Sequence, residues 1–152
     1  MGTFKKIIVF HLNNQEYGAD VSQILSIERI SDIVELPDTP AFINGIIHLR
    51  GMVIPVIDLK KRLKMDRLTY TDETRVLIVE MDNHQIGLVV DKATDVLDIN
   101  EDIIEPAGNF IRQDSDYLHG VAKMENRLLL LLDLEKVLSG EETKQVKEVI
   151  AG

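Results

Sequence analysis

The feature that most constrains this chain is that it repeats itself. Residues 45–63 (GIIHLRGMVIPVIDLKKRL) align without a gap with residues 120–138 (GVAKMENRLLLLLDLEKVL), 75 positions further on. Five of the nineteen positions are identical: Gly45/Gly120, Asp58/Asp133, Leu59/Leu134, Lys61/Lys136 and Leu63/Leu138. Average composition yields roughly one identity by chance over such a span. Upstream, VFHLNNQEYGADV (9–21) aligns with IVEMDNHQIGLVV (78–90) at an offset of 69, keeping Asn14/Asn83, Gly18/Gly87 and Val21/Val90. The offsets differ by six, so the second copy carries about six extra residues, placed in the loop 100–118 with Pro106, Gly108 and Asn109. The chain therefore reads as two copies of one unit, each about 70 residues long.

Each unit reads as mostly strand. Ile7–Phe10, the polar Asn13–Glu16 and Tyr17–Ala19 form a predicted hairpin with turn residues at its tip, and Val76–Met81, Asp82–His84 and Gln85–Val90 repeat the plan. Met52–Ile57 is a β-branched run; Leu128–Leu132 alone is ambiguous, and its repeat mate argues for strand. Pro55 cannot donate to a ladder, which predicts an edge or bulged strand. Asp58 and Asp133 are placed to cap short helices over Leu59–Leu63 and Leu134–Leu138. A terminal helix is predicted over Glu141–Ile150, with Val146, Val149 and Ile150 on one face. About five strands per copy suggest two small β-barrels, so the fold class is mainly β with short helices and a C-terminal helix. The expected division is 1–72, 73–140 and a tail at 141–152. One such barrel has a thin core and is marginal alone, so the two are expected to pack together and leave a groove between them. The join at Asp66–Thr74 is polar without a long flexible run, which implies a fixed relative orientation.

Composition excludes several functions. The net charge is −9, with a single short basic cluster at Lys60–Arg67, and aromatics are 5% of residues without Trp. A polyanion would be repelled and base-stacking platforms are scarce, so no nucleic-acid partner is expected. No run approaches a membrane span, no signal peptide is read at the start, and the absence of cysteine removes disulfides and thiolate metal sites. Cytoplasm is the expected compartment. His11, His48, His84 and His119 lack metal-ligand spacing, and no phosphate loop or nucleophile elbow occurs. No catalytic residue, metal or cofactor is expected. The alternative is a small-molecule-binding barrel, or an enzyme using carboxylates in the cleft between barrels.

What remains are surfaces. Arg50, directly before Gly51, reads either as a guanidinium paired to a surface acid or as an interfacial anchor on a rigid turn. Val21, Ile24 and Ile27 are spaced three apart, as are Val90, Ala93 and Val96 in the second copy. Each set fits a core stripe, or one wall of a groove suited to a bound helix.

At these residues the chain resembles the CheW family of bacterial chemotaxis coupling proteins. The resemblance rests on an ordered series: Tyr17-Gly18-Ala19-Asp20-Val21, Leu36-Pro37, Thr39-Pro40-Ala41-Phe42-Ile43-Asn44-Gly45, Leu49-Arg50-Gly51 and Ile54-Pro55-Val56-Ile57-Asp58-Leu59. Gly87-Leu88-Val89-Val90-Asp91 and Asp95-Val96-Leu97 extend it, so it covers about residues 5–140. His48 departs from the Asn more common in the family but leaves Arg50 and Gly51 in place. The resemblance implies two five-stranded, SH3-like barrels and a non-catalytic adaptor. It would join the cytoplasmic tip of chemoreceptors to the regulatory domain of the histidine kinase CheA. The adaptor would be a monomer in solution, without direct membrane insertion, clustered in receptor arrays at the inner face of the membrane. Carried over by motif, Val21, Ile24, Ile27, Arg50, Ala93 and Val96 would meet the receptor. Thr39, Phe42, Asn44 and Gly45 would lie on the kinase face.

Overall fold

The computed structural model describes residues 3–30, 32–65, 70–106, 117–138 and 140–151. Its strands are β1 (Phe4–Leu12), β2 (Gln15–Asp20), β3 (Ser26–Arg29), β4 (Ile43–Leu49), β5 (Met52–Asp58), β6 (Arg75–Met81), β7 (His84–Val90), β8 (Lys92–Asn100), β9 (Ile104–Pro106), β10 (Leu118–Met124) and β11 (Arg127–Leu132). Helix α1 spans Leu59–Arg62 and α2 spans Gly140–Ala151. Neither is long and apolar enough to cross a membrane. Three hairpins turn on Asn13-Asn14, Arg50-Gly51 and Asp82-Asn83, every one of these residues having positive φ. Two-residue turns of that kind match the right-handed twist of the strands they join.

The strands form a six-stranded sheet in the order β8-β1-β2-β11-β10-β9 and a five-stranded sheet in the order β3-β6-β7-β5-β4. The two orders are the same order: replacing each strand by its repeat mate converts one into the other, with β9 added. Even the single parallel ladder in each is shared, Leu131 opposite Gly18 in one and Val56 opposite Gly87 in the other. The copies are nevertheless interlocked. The β1–β2 hairpin lies in the sheet of the second copy, and the β6–β7 hairpin lies in the sheet of the first. The expected division at 72/73 therefore cuts across both sheets. Both changes of sheet follow a strand, β2 or β7, that already has a neighbour on each edge. The chain crosses through 21–25 after β2 and through Asp91 alone after β7.

Three apolar cores follow from this arrangement. Ile47, Ile54, Val56, Val76, Ile78 and Val89 fill the concave side of the five-stranded sheet; Ile7, Val9, Ile99, Ala122, Leu129 and Leu131 fill that of the six-stranded sheet. The largest core lies between the sheets and includes Phe10, Leu12, Tyr17, Leu77, Val79, Ile86, Leu88 and Leu132. Along β6, Val76 and Ile78 face one core while Leu77 and Val79 face the other, so the strand is buried on both sides and reads as a continuous apolar run. Each fully buried Leu or Ile contributes about 2 kcal/mol, enough to hold the sheets as one body. The expected groove is corrected by the same observation: the seam is filled, and only its rims reach solvent.

Pro55 also differs from expectation, since β5 lies between β7 and β4 rather than at an edge. Pro55 faces Ile46, whose own N–H and carbonyl bond to Val34 instead, at 2.9 Å each. The parallel ladder with β7 begins only at Val56, so the missing donor costs no bond. The predicted caps are present: Asp58 accepts from Lys61 N at 3.1 Å, and Asp133 accepts from Glu135 N at 3.1 Å at the head of a 3₁₀ turn, Leu134–Lys136. Helix α2 buries Val146 in the seam core with Val149 against it, and is tied down by Arg62–Glu142 and Lys147–Asp82 ion pairs, both 2.9 Å. Most of the loop predicted to hold the six extra residues lies outside the described residues, as do 66–69 of the predicted join.

Candidate docking surface

The crossover from β2 to β3 begins with Asp20, whose carboxylate accepts from the backbone N–H and the hydroxyl of Ser22 at 2.9 and 2.8 Å. This caps a single 3₁₀ turn, Val21–Gln23, that buries none of its residues. Ile24 turns inward against the seam core. Leu25 N then donates to Ile78 O at 2.7 Å, and β3 pairs Ile27 with Leu77. Paired residues share a face, so Ile27 is the outer end of an apolar row that runs through Leu77 into the seam. Val21, Leu25 and Ile27 are 38%, 54% and 40% exposed, three large apolar side chains at the surface within seven residues.

Arg50 reaches the same edge strand from its other face, since Ile27 pairs with Leu77 and Glu28 with Val76, which lie in different cores. Its guanidinium reaches the Glu28 carboxylate at 3.0 Å, and Glu28 follows Ile27 on β3. The Arg50-Gly51 turn thus leans on β3 while most of the Arg50 side chain stays exposed. Arg50 is thus paired to an acid, as the first reading expects, and sits on a tight two-residue turn.

The second crossover is built from other chemistry. Val90 is fully buried in the seam. Asp91 accepts from Asn13 N at 2.8 Å and lies 3.3 Å from the Lys60 ammonium, while its own N–H donates to His11 O. Ala93 packs against the seam opposite Phe10, and a bulge then shifts the register before Val96, which is exposed opposite Ile8. Ala93 and Val96 hold the repeat positions of Ile24 and Ile27, 69 residues on. Neither triplet is a uniform stripe, because the chain passes from turn to strand within each: Ile24 and Ala93 pack against the seam core, and Ile27 and Val96 are exposed beyond it.

The four residues expected on the kinase face are dispersed in their exposure. Thr39 donates its hydroxyl to Leu36 O at 3.2 Å in the loop before β4, beside an open crevice of about 600 Å³ closed on the far side by Gln145, Glu148 and Val149 of α2. Phe42 is half-buried on the seam core, and Asn44 donates to the Tyr70 hydroxyl at 2.7 Å. Gly45 is buried; its φ of 149° and the Val34 carbonyl against its α-carbon exclude any side chain. It shapes the strand and presents no surface of its own.

Sequence reasoning missed Leu25, Val34, Met52 and Val53, all about half-exposed. Met52 and Val53 open an apolar run in which Ile54 and Val56 point inward, and a run without polar alternation does not signal which members are exposed. It also missed Gln23, whose amide donates to Asp133 at 2.7 Å and accepts from Leu134 N at 3.0 Å.

On the far face of the six-stranded sheet, Arg127 holds Glu16 through two hydrogen bonds, the longer 3.0 Å, and reaches Asp95 at 3.3 Å. The hydrogen bonds from Arg127 keep the Glu16 carboxyl below the usual carboxylate range against the opposing effect of burial. Burial raises Asp95, but hydrogen bonds from Thr94 and Arg127 outweigh it and leave that carboxyl lowered too. Among the described residues no group of His, Asp and Glu is arranged to hold a metal, and the one buried carboxylate is the helix cap Asp58.

Two repeat-related sheets fused through an apolar seam, with apolar side chains exposed along one rim, define a β scaffold whose distinctive features are surfaces. Its relatives agree. Residues 6–142 match the family model described as CheW-like domain. The chain is 40% identical over 143 residues to the chemotaxis protein CheW of Bacillus subtilis (strain 168), covering 93% of this chain and 92% of that one. It is 34% identical to the chemotaxis protein CheW of Klebsiella aerogenes, covering 95% and 88%. The crystal structure of the scaffolding protein TtCheW from Thermoanaerobacter tengcongensis superimposes with a TM-score of 0.82 at 36% identity, covering 93% of this chain and 97% of that one. The chain belongs to the CheW family of chemotaxis scaffold proteins.

Proposed function

We propose that this chain is a non-catalytic cytoplasmic adaptor that binds the cytoplasmic tip of methyl-accepting chemoreceptors and the regulatory domain of the histidine kinase CheA. It works at receptor arrays on the inner face of the membrane. The observation that carries the receptor half is the exposed apolar rim of Val21, Leu25 and Ile27, with Arg50 tied to the same edge strand through Glu28. A helical hairpin offers apolar residues at intervals of three and four, which suits a row of this length, and Arg is enriched among interface anchors. Ile24, Ala93 and Val96 complete the receptor contact. The kinase contact is assigned to the segment Thr39–Gly45, supported by the exposed Val34 and Val53 on the same sheet.

Coupling then follows from rigidity. A body whose two sheets share one core cannot flex between its partners, so it favours one relative placement of receptor and kinase. An adaptor that binds two arrangements unequally shifts the balance between them; one that binds both equally shifts nothing. Co-sedimentation of CheA with a receptor cytoplasmic fragment, with and without this chain, tests the proposal. Recruitment of the kinase that depends on the chain is expected. Kinase recovery unchanged by the chain contradicts it.

A further inference from the structure

We propose that Gln23 is a positioning residue whose side-chain amide latches the receptor-binding crossover onto the end of β11 and holds Val21, Leu25 and Ile27 in their binding arrangement. The inference rests on the receptor reading above and extends it to a residue that touches no partner.

The polarity of the latch is unambiguous. Leu134 N–H can only donate, so the atom it meets at 3.0 Å is the Gln23 oxygen; the Asp133 carboxylate can only accept, so the atom it meets at 2.7 Å is the Gln23 nitrogen. One side chain from the first crossover thereby joins the turn that ends β11, 110 residues away. Among the described residues the crossover has few other ties. Its 3₁₀ turn buries nothing, and its remaining ties are the Asp20 cap, the inward Ile24 and the Leu25–Ile78 hydrogen bond.

The repeat supplies an internal control. Lys92 stands at the position of Gln23, and Asp58 at that of Asp133. Asp58 caps α1, and Lys92, at the glutamine's position, pairs with Glu73 at 4.0 Å. Capping therefore does not require the glutamine. Gln23 is present where the crossover is exposed, and absent where the chain crosses through a single anchored residue.

Gln23→Glu tests this with nearly the same shape. The new carboxylate faces Asp133 and cannot donate to it, and hydrogen bonds to charged groups are among the stronger ones, so binding of a receptor cytoplasmic fragment should weaken about ten-fold. Affinity for the kinase regulatory domain should stay within two-fold, roughly the precision of the titration. Hydrogen exchange at residues 22–27 and at Leu134 should quicken in the free protein. Gln23→Met keeps the length of the side chain, removes both hydrogen bonds without adding a charge, and should weaken receptor binding and quicken the same exchange, again sparing the kinase affinity. Wild-type receptor binding or wild-type exchange protection in both variants, or an equal loss of kinase affinity, overturns the latch. If the wild-type chain does not bind the fragment, the receptor reading falls, and the exchange data still decide whether Gln23 holds the crossover.

Discussion

Val21 and Val90 occupy one position in the two copies of the repeat. Val21 is exposed at the surface, whereas Val90 is sealed in the seam. The contrast continues along both crossovers. After β2 the chain takes five residues, 21–25, to change sheets and leaves Leu25 and Ile27 exposed; after β7 it takes one, Asp91, held by Asn13 and Lys60. The scaffold is duplicated, and the surface it presents is not. Duplication supplies the interlocked sheets and their common core, while divergence at a connecting segment lets one rim acquire a partner. Connecting segments are free to diverge in this way because ladder pairing does not constrain them.

What the copies share can be broken first. Gly45 and Gly120 both sit at register shifts, against the carbonyls of Val34 and Glu105 respectively. Gly45→Ala adds a side chain at φ 149° as well as a clash and should cost roughly 3 kcal/mol or more. Gly120→Ala, with its added carbon 2.7 Å from the Glu105 oxygen, should cost about 2 kcal/mol in urea melts. The difference between the crossovers is the next target. Val90→Ala opens a cavity and should destabilise by about 2 kcal/mol without altering receptor affinity in the folded fraction. Val21→Ala should cost under about 0.5 kcal/mol and still weaken receptor binding several-fold. Equal stability losses would erase the contrast.

Arg50→Glu sharpens the assignment of the rim. The new carboxylate opposes Glu28, and because both side chains suffer equally at positive φ, no extra backbone strain arises. The fold should persist while receptor affinity falls about ten-fold; unfolding instead would make Arg50 a structural residue. The smallest effect concerns the far face. The Glu16 carboxyl is lowered in the folded protein, so its contribution is complete above the ordinary glutamate value of about 4.3 and is lost as pH falls below it. Glu16→Gln should therefore flatten the acid limb of stability against pH between about 5 and 3 and leave receptor binding at neutral pH unchanged.

The repeat, the hairpins and both caps were legible because each is written in local pattern: identical residues at fixed offsets, turn residues between apolar runs, an Asp before a short helix. The exchange of hairpins was not legible. The β1–β2 hairpin offers its edges and faces equally to strands of its own copy or the other, and an offset between sequences does not record which neighbour is chosen. Pro55 misled for a related reason, since an inner strand accepts proline where a ladder has not yet begun. Of the candidate site, Ile24, Ile27, Ala93 and Val96 were singled out by their spacing, yet which of them are packed in the seam and which are exposed depends on where turn becomes strand. Leu25 and Gln23 carried no sequence signal, because exposure and a contact 110 residues away are properties of the folded chain.

The most direct test of the docking account is a hydrogen-exchange footprint of this chain with and without a receptor cytoplasmic fragment. Protection should gather at 21–27, at the Arg50-Gly51 turn and at 93–96, leaving 34 and 52–53 unchanged. Protection confined to 34 and 52–53, or absent from the β2–β3 crossover, would contradict it.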